Sequence, residues 1–326
     1  MISDRKSNKA GKTKKDLKII FMGTPDFAVP SLKALIKSCT VVAVVTRPDS
    51  PQGRGHKMAP PPVKVVAEEA GIPVLQPKKV KTDEFPDALK AFGADMFVTC
   101  AYGRILTQKV LDVPPMGTVN IHASILPKYR GAAPLWWQVI NGEQEVGVTT
   151  MLTDIDMDTG DILLTDSIPL EENATMGEVH DRLSEMGAEL IIKTIDGMLD
   201  GSIIPAPQNH DEATYAPTIS KEDGKIDWTA PAKTIHNLVR GMDPFPAAWT
   251  TLDGQIVKIF GTKYTDSQSG QEPGTVLGIS SGGGIEVAAG SGTVIIGELQ
   301  SAGTRRMDWR SYINGRPIPP GKVFGT

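Results

Sequence analysis

The residues Asn120-Ile-His-Ala-Ser-Ile-Leu-Pro-Lys-Tyr-Arg-Gly-Ala-Ala-Pro134 form the segment richest in chemical potential. It begins where an apolar run reads as the end of a strand. Side chains two apart in a strand point to the same side, so Asn120 and His122 can face one crevice. An amide donor is thereby set beside an imidazole. Farther on, Thr153-Asp-Ile-Asp-Met-Asp-Thr-Gly-Asp-Ile162 reads as an acidic loop between two strands, a place from which a carboxylate can reach that histidine. Asp158 is the candidate. Acyl transfer through a tetrahedral intermediate needs oxyanion stabilisation, removal of the amine proton and protonation of the leaving nitrogen. Asn120 would donate to the oxyanion, His122 would assist as a cation or carry a proton, and Asp158 would orient the imidazole.

The elements that must hold these residues follow from the periodicity. Leu17 to Phe21, Thr40 to Val45, Met96 to Thr99, Thr118 to Ile121 and Val146 to Leu152 read as strands. Phe27 to Ser38, Pro62 to Ala70 and Thr82 to Ala91 have helical spacing between them, and such alternation predicts an α/β fold with a doubly wound, mostly parallel sheet. Ligands then belong at the carboxyl ends of the strands. Thr175-Met-Gly-Glu178 is in capping-box register, which predicts a long helix that stops before Gly201. Ile203 to Ser220 holds three prolines without periodicity and reads as an extended linker. Beyond a helix from Ala232 to Gly241, the runs Gln255–Phe260, Gly274–Ile279, Ile285–Ala288 and Thr293–Leu299 are β-branched and separated by glycine-rich turns. They predict a small antiparallel, OB-like β-barrel. Trp136 and Trp137, with Leu135 and Val139, read as one helix packed on the sheet. The expected organisation is a disordered basic arm over 1–16, a catalytic domain over 17–202, a linker over 203–220 and the barrel over 221–326.

Totals narrow the function classes. At 326 residues the chain suits two domains, and 34 basic against 38 acidic residues argue for neither a nucleic-acid coat nor a membrane-surface protein. Two cysteines, Cys39 and Cys100, lie in apolar runs and read as reduced, buried thiols, as in a cytoplasmic protein. The lysine-rich start lacks the apolar core of a signal peptide, and no segment reaches the about eighteen apolar residues of a membrane helix. The acidic loop lacks the calcium-loop pattern with its terminal glutamate, so no metal is expected.

The same residues resemble the folate-dependent formyltransferases, which carry an Asn-x-His pair after a strand, then Ser-Leu-Leu-Pro, then Asp in an Asp-x-Gly loop. Similarity runs from Lys18 to about the last residue and includes Gly23-Thr-Pro-Asp-Phe-Ala28 and Arg47-Pro-Asp49. The resemblance implies a Rossmann-like formyltransferase fold with 10-formyltetrahydrofolate as donor. Asn120, His122 and Asp158 would be catalytic, and Ser124, Ile125, Leu126 and Pro127 would line the folate site. Ile125 stands where the family mostly has leucine. Asp156 blurs the carboxylate assignment, since Asp154, Asp156, Asp158 and Asp161 share one loop; spacing to Thr159-Gly160 favours Asp158. The pattern looks most like the members that formylate charged initiator methionyl-tRNA for translation initiation.

An RNA acceptor leaves basic footprints. Thr46 to Lys64 carries Arg47, Arg54, Lys57 and Lys64 against Asp49, with Gly53 and Gly55 expected to make it mobile; the resemblance implies that it enters an acceptor-stem groove. The tail after Gln300 offers Arg305 and Arg306, and the lysine-rich arm is a third patch. Two rivals from other classes fare worse. A nicotinamide-dependent oxidoreductase needs Gly-x-Gly-x-x-Gly, whereas the first turn reads Phe21-Met-Gly-Thr-Pro-Asp-Phe-Ala28. A non-catalytic RNA-binding module leaves Asn120, His122 and Asp158 without a purpose. Glycinamide ribonucleotide or sugar-nucleotide formyltransferases and a formyltetrahydrofolate hydrolase would share the triad; the first typically stops near the end of the first domain and the hydrolase usually carries an extra domain before its catalytic one, while the arginine-containing loop at Thr46 to Lys64 discriminates against the sugar-nucleotide enzymes. A monomer is the expected state, with no membrane partner.

Overall fold

In the computed structural model, which describes residues 13–52 and 57–326, the apolar runs of the first half become a seven-stranded sheet. Its order is Ile162–Pro169, Glu145–Leu152, Thr118–His122, Met96–Cys100, Lys18–Gly23, Thr40–Val45, Val74–Leu75. Lys18–Gly23 pairs in parallel with Thr40–Val45 on one side and Met96–Cys100 on the other, and Met96–Cys100 pairs in parallel with Thr118–His122. Every residue of Met96–Cys100 is buried, as a strand covered on both faces must be. The strand order reverses between Lys18–Gly23 and Met96–Cys100, and a doubly wound sheet opens its ligand crevice at the carboxyl ends flanking such a reversal.

One strand departs from the parallel pattern. Glu145–Leu152 runs antiparallel to Thr118–His122. A parallel return needs a crossover helix over the sheet, and the helix available, Pro134–Ile140, belongs to a second compact unit. The described parts of Met1–Ala132, Gly147–Ile168 and His180–Ala216 form the first unit, and Ala133–Val146, Pro169–Val179 and Pro217–Thr326 form the second. The long helix runs Met176–Asp200. Its predicted capping box is present: the Glu178 carboxylate accepts from Thr175 N at 2.8 Å, and Glu178 N donates to Thr175 Oγ1 at 3.3 Å.

In the second unit the antiparallel order is Ala248–Leu252, Gln255–Thr265, Thr293–Ser301, Ile285–Ala288, Val276–Ile279, with Met307–Asp308 also on Thr293–Ser301. The predicted helix Ala232–Gly241 turns Ile235 and Val239, and its C-cap Met242, into a core with Val257, Ile259, Val287 and Leu299. Each such side chain contributes about 1.5–3 kcal/mol by leaving water. Trp136 and Trp137 are half-buried, and Trp136 packs against this core. Their indole N–H groups donate to Phe245 O at 2.9 Å and Pro217 O at 2.8 Å. The strand Ala248–Leu252 and the helix Trp309–Gly315, N-capped by the Asp308 carboxylate, escaped the sequence reading.

His236 is buried in this unit with both nitrogens engaged, at 3.0 Å from Thr262 Oγ1 and 3.1 Å from Glu172 O. Burial holds its pKa below the ordinary value of 6.5, opposed by the bond to Glu172 O and helped by nearby Arg240. The unfolded chain therefore takes up this proton first as pH falls. Stability that is complete above about 6.5 is lost on acidification toward the depressed folded value. Thermal melts at pH 7.5 and 5.5 are expected to show a drop that His236→Gln reduces; an equal drop in that variant would exclude His236 as its source.

Residues 1–12 lie outside the described residues, and with them most of the expected basic arm. Lys14–Asp16 form a 3-10 turn in which the Asp16 carboxylate accepts from Thr13 N at 3.1 Å. Cys39 and Cys100 are free and buried. Among the described residues no helix is long and apolar enough to cross a membrane.

Candidate active site

Asn120 and His122 leave the carboxyl end of Thr118–His122, one strand from the reversal of the sheet order. Asn120 is half-buried and lies in register with Thr99 of the neighbouring strand, whose hydroxyl donates to Asn120 Oδ1 at 2.8 Å. A carboxamide held by its oxygen keeps its NH2 as the outward group. The amide is thus oriented as a donor before any ligand arrives.

His122 is 6% exposed and lies between two acceptors. Nε2 is 2.9 Å from Tyr129 O, and since a carbonyl only accepts, Nε2 carries the hydrogen. Nδ1 faces the Asp158 carboxylate at 3.6 Å. With a carbonyl on one side and a carboxylate on the other, the ring can hold a hydrogen on each nitrogen. Asp158 Oδ2 also accepts from Gly131 N at 2.8 Å. Asp154 and Asp156 are exposed, and Asp158 is the carboxylate of this loop paired with His122. Tyr129 (φ 60°) and Asp158 (φ 57°) both adopt left-handed backbone, which costs a non-glycine residue about 1–3 kcal/mol, so their surroundings must hold them there.

The segment expected to line a folate site is held by its own hydrogen bonds. Ser124 Oγ donates to Lys128 O at 2.6 Å, and Thr149 Oγ1 donates to Ser124 O at 2.7 Å and accepts from Leu126 N at 3.2 Å. Ser124 and Leu126 are buried, whereas Ile125 and Pro127 are half-buried and remain the side chains of this segment that a ligand can meet. Tyr102 follows Met96–Cys100 at the same edge of the sheet. Its buried hydroxyl has no hydrogen-bond partner among the described residues, and burial pushes its pKa up to about 12 against the pull of Arg104 and Arg47.

Sequence reasoning missed Thr99, the Tyr129 carbonyl and Gly131 N–H. It also missed Arg130 and Gln208, which lie behind Asp158. Arg130 directly follows the motif segment, but Gln208 sits in the proline-rich stretch, where no periodicity or motif marks it. That stretch carries a 3-10 turn at His210–Glu212, and Tyr215–Ala216 pairs in parallel with Arg130–Gly131. Close approach explains the glycine, because a Cβ at Gly131 (φ 125°) would lie 2.7 Å from Ala216 O.

The basic candidates divide. Ser50–Gln52 and Lys57–Ala59 form a short antiparallel ribbon, while its tip, with Arg54, lies outside the described residues. Lys64 bonds both Asp49 oxygens at 2.9 Å. Arg47, Lys57 and Arg305 are exposed and have no ion-pair partner among the described residues. Arg306 is committed elsewhere: Nη1 donates to Asp243 at 2.8 Å, Nε pairs with Glu298, and the guanidinium lies 4.2 Å from the Phe260 ring centroid. Its charge is answered inside its own unit, which speaks against the RNA contact expected of it. Among the described residues no three His, Cys, Asp or Glu side chains are grouped to hold a metal ion.

A formyl transferase family model matches residues 17–195, and a model of the formyl transferase C-terminal domain matches 218–317. A methionyl-tRNA formyltransferase of Pelobacter propionicus is 50% identical over 308 residues, 94% of this chain and 96% of that protein. One from Acetivibrio thermocellus is 48% identical over 311 residues, 95% of this chain and 100% of that protein. HypX from Aquifex aeolicus, solved with tetrahydrofolic acid, superposes with a TM-score of 0.61 at 19% identity, over 96% of this chain and 51% of that one. An N-formyltransferase from Helicobacter canadensis, solved with folinic acid and dTDP-3-aminofucose, gives 0.62 at 20% identity, over 87% and 99%. These two structures share the fold. The chain belongs to the formyl transferase family, among the methionyl-tRNA formyltransferases.

Proposed function

We propose that this chain transfers the formyl group of 10-formyltetrahydrofolate to the α-amino group of charged initiator methionyl-tRNA, with Asn120, His122 and Asp158 as its catalytic residues. The observation that carries the reading is the pair of pre-set groups at one strand end: the Asn120 amide held by Thr99 as a donor, and His122 between Tyr129 O and Asp158. The amine lone pair forms the new C–N bond, and the formyl carbonyl becomes an oxyanion to which Asn120 donates. His122, neutral with its hydrogen on Nε2 toward Tyr129 O, takes up at Nδ1 the proton shed by the attacking amine, where Asp158 stabilises the resulting cation, and returns it to the departing folate nitrogen as the old C–N bond breaks. Asp158 holds the ring through Nδ1. No covalent enzyme intermediate is involved. Ile125 and Pro127 border the donor, with Ser124 and Leu126 shaping their loop. In this reading the first unit carries the folate chemistry, the second assists tRNA binding, and the enzyme works as a cytoplasmic monomer.

Of the candidate tRNA contacts, Arg47, Lys57 and Arg305 are described and free to meet phosphates, and Arg54 belongs to the same loop as Arg47 by sequence. Removing a side chain that neutralises one phosphate lowers the slope of log affinity against log salt by about 0.7 to 0.9. Arg47→Ala is expected to raise KM for the charged tRNA and to flatten its salt dependence, leaving KM for the folate unchanged. Equal loss with a small amine acceptor would remove Arg47 from the tRNA interface.

The reading itself is tested by formyl transfer from 10-formyltetrahydrofolate to charged initiator methionyl-tRNA, beside elongator methionyl-tRNA and an amino-sugar nucleotide. Selective formylation of the initiator is expected. Formylation of the sugar alone overturns the acceptor and keeps the triad, and release of free formate would make the protein a hydrolase.

A further inference from the structure

Gln208 lies far from the catalytic triad in sequence, yet it is 6% exposed and uses both ends of its amide on the acidic loop and one cation, with Met151 Sδ also 3.9 Å from its Nε2. Its Nε2 donates to Asp158 O at 3.0 Å and to Gly160 O at 2.7 Å. Its Oε1 accepts from Arg130 Nε at 3.0 Å and Nη2 at 2.6 Å. Two donors and two acceptor sites are all that a primary amide offers, so only an amide of this length satisfies both partners. Arg130 is 2% exposed, and its remaining side-chain contact is Nη1 to His210 Nδ1 at 3.2 Å; no carboxylate pairs with it among the described residues. Such a guanidinium is an expensive group to bury. Its forked donors lock the Gln208 carboxamide with the NH2 toward the loop, where a flipped amide would set its oxygen against two carbonyls.

The loop needs that support. Asp158 adopts left-handed backbone, and Gln208 bonds the carbonyl of Asp158 itself, while Gly131 N holds the carboxylate. Arg130 and Gly131 thus grip Asp158 at two points, the main chain through Gln208 and the side chain directly. The Gln208 side of this grip is tied down as well, since Arg130 N donates to Thr214 O and Ala132 N to Ala216 O, both at 2.9 Å. A misplacement of about 1 Å can cost on the order of 10²-fold in rate, and the 3.6 Å between Asp158 and His122 depends on this loop.

We propose that Gln208 and Arg130 are positioning residues that act together to set Asp158 against His122, an inference that rests on the catalytic reading of that pair. Gln208→Leu and Gln208→Glu leave the loop carbonyls without a donor and are expected to lower kcat by about 10-fold or more, with KM for the folate nearly unchanged. Because the ring loses its set partner, the pH profile of kcat is expected to shift, which a merely less stable protein would not show. Arg130→Met and Gln208→Leu together are expected to cost no more than the worse single change, as for residues acting as a unit. In an Asp158→Asn background Gln208→Leu is expected to add no further loss. Circular dichroism and melting of Gln208→Glu confirm that folded protein is measured. A kcat within twofold of the parent, an unmoved pH profile, or losses that multiply with Asp158→Asn would overturn the proposal. If Asp158→Asn itself turns over near the parental rate, the catalytic reading fails instead, so the two failures are separable.

Discussion

Asn120→Ala is expected to lower kcat by ~10²–10³-fold, the cost of removing one donor from an oxyanion site. The magnitude rests on orientation more than on presence. Thr99 Oγ1 holds the amide oxygen at 2.8 Å, so the NH2 is committed outward and needs no reorganisation at the transition state. Asn120→Asp is informative beside it, because a carboxylate of nearly the same shape accepts where the amide donates and sets negative charge against the forming oxyanion. It is expected to lose at least as much as alanine. Single-turnover rates with 10-formyltetrahydrofolate separate the bond-forming step from product release. Should both variants keep single-turnover rates within about fivefold of the parent, Asn120 is not the oxyanion donor, since an oxyanion donor is worth far more.

His122→Ala is expected to reduce turnover by at least ~10²-fold, in the range of a general acid–base residue. The ring is buried and held at both nitrogens, so the change also leaves Tyr129 O and the Asp158 carboxylate facing a vacated volume. His122→Gln supplies the needed control by filling much of that volume with a group that cannot carry a proton. Loss in both variants, with unchanged melting of the glutamine protein, assigns the effect to proton handling. Recovery of turnover in His122→Gln would reduce the histidine to a spacer. Asp158→Asn is expected to cost less than His122→Ala, because it acts on the ring and not on the substrate.

The three residues proposed as catalytic could be singled out because their chemistry is compressed into two short stretches, each beside a strand end, and because residues two apart in a strand share a side. The Thr175–Glu178 cap was legible for the same reason of locality. What escaped depends on contacts between distant segments. Thr99 meets Asn120 only through strand register, which a lone apolar run does not encode. Gln208 meets Asp158 from a stretch whose prolines announce extension and nothing about a partner. The direction of Glu145–Leu152 escaped because alternation of apolar residues reads the same either way along a strand. Arg306 looked like a free cation because the carboxylates that answer it, Asp243 and Glu298, come from other segments.

The discontinuity of the second unit has a bearing on synthesis and on dissection. Ala133–Val146 and Pro169–Val179 leave the ribosome long before Pro217–Thr326, the stretch with which they form one unit. During that interval Trp136 and Ile140 have no core to join. A nascent chain thus carries an apolar patch that only the last third of translation can cover, which is where a chaperone would find it. A gene cut after Ala216 makes the interval permanent, so an isolated catalytic fragment needs Trp136 and Ile140 replaced by polar residues to remain soluble.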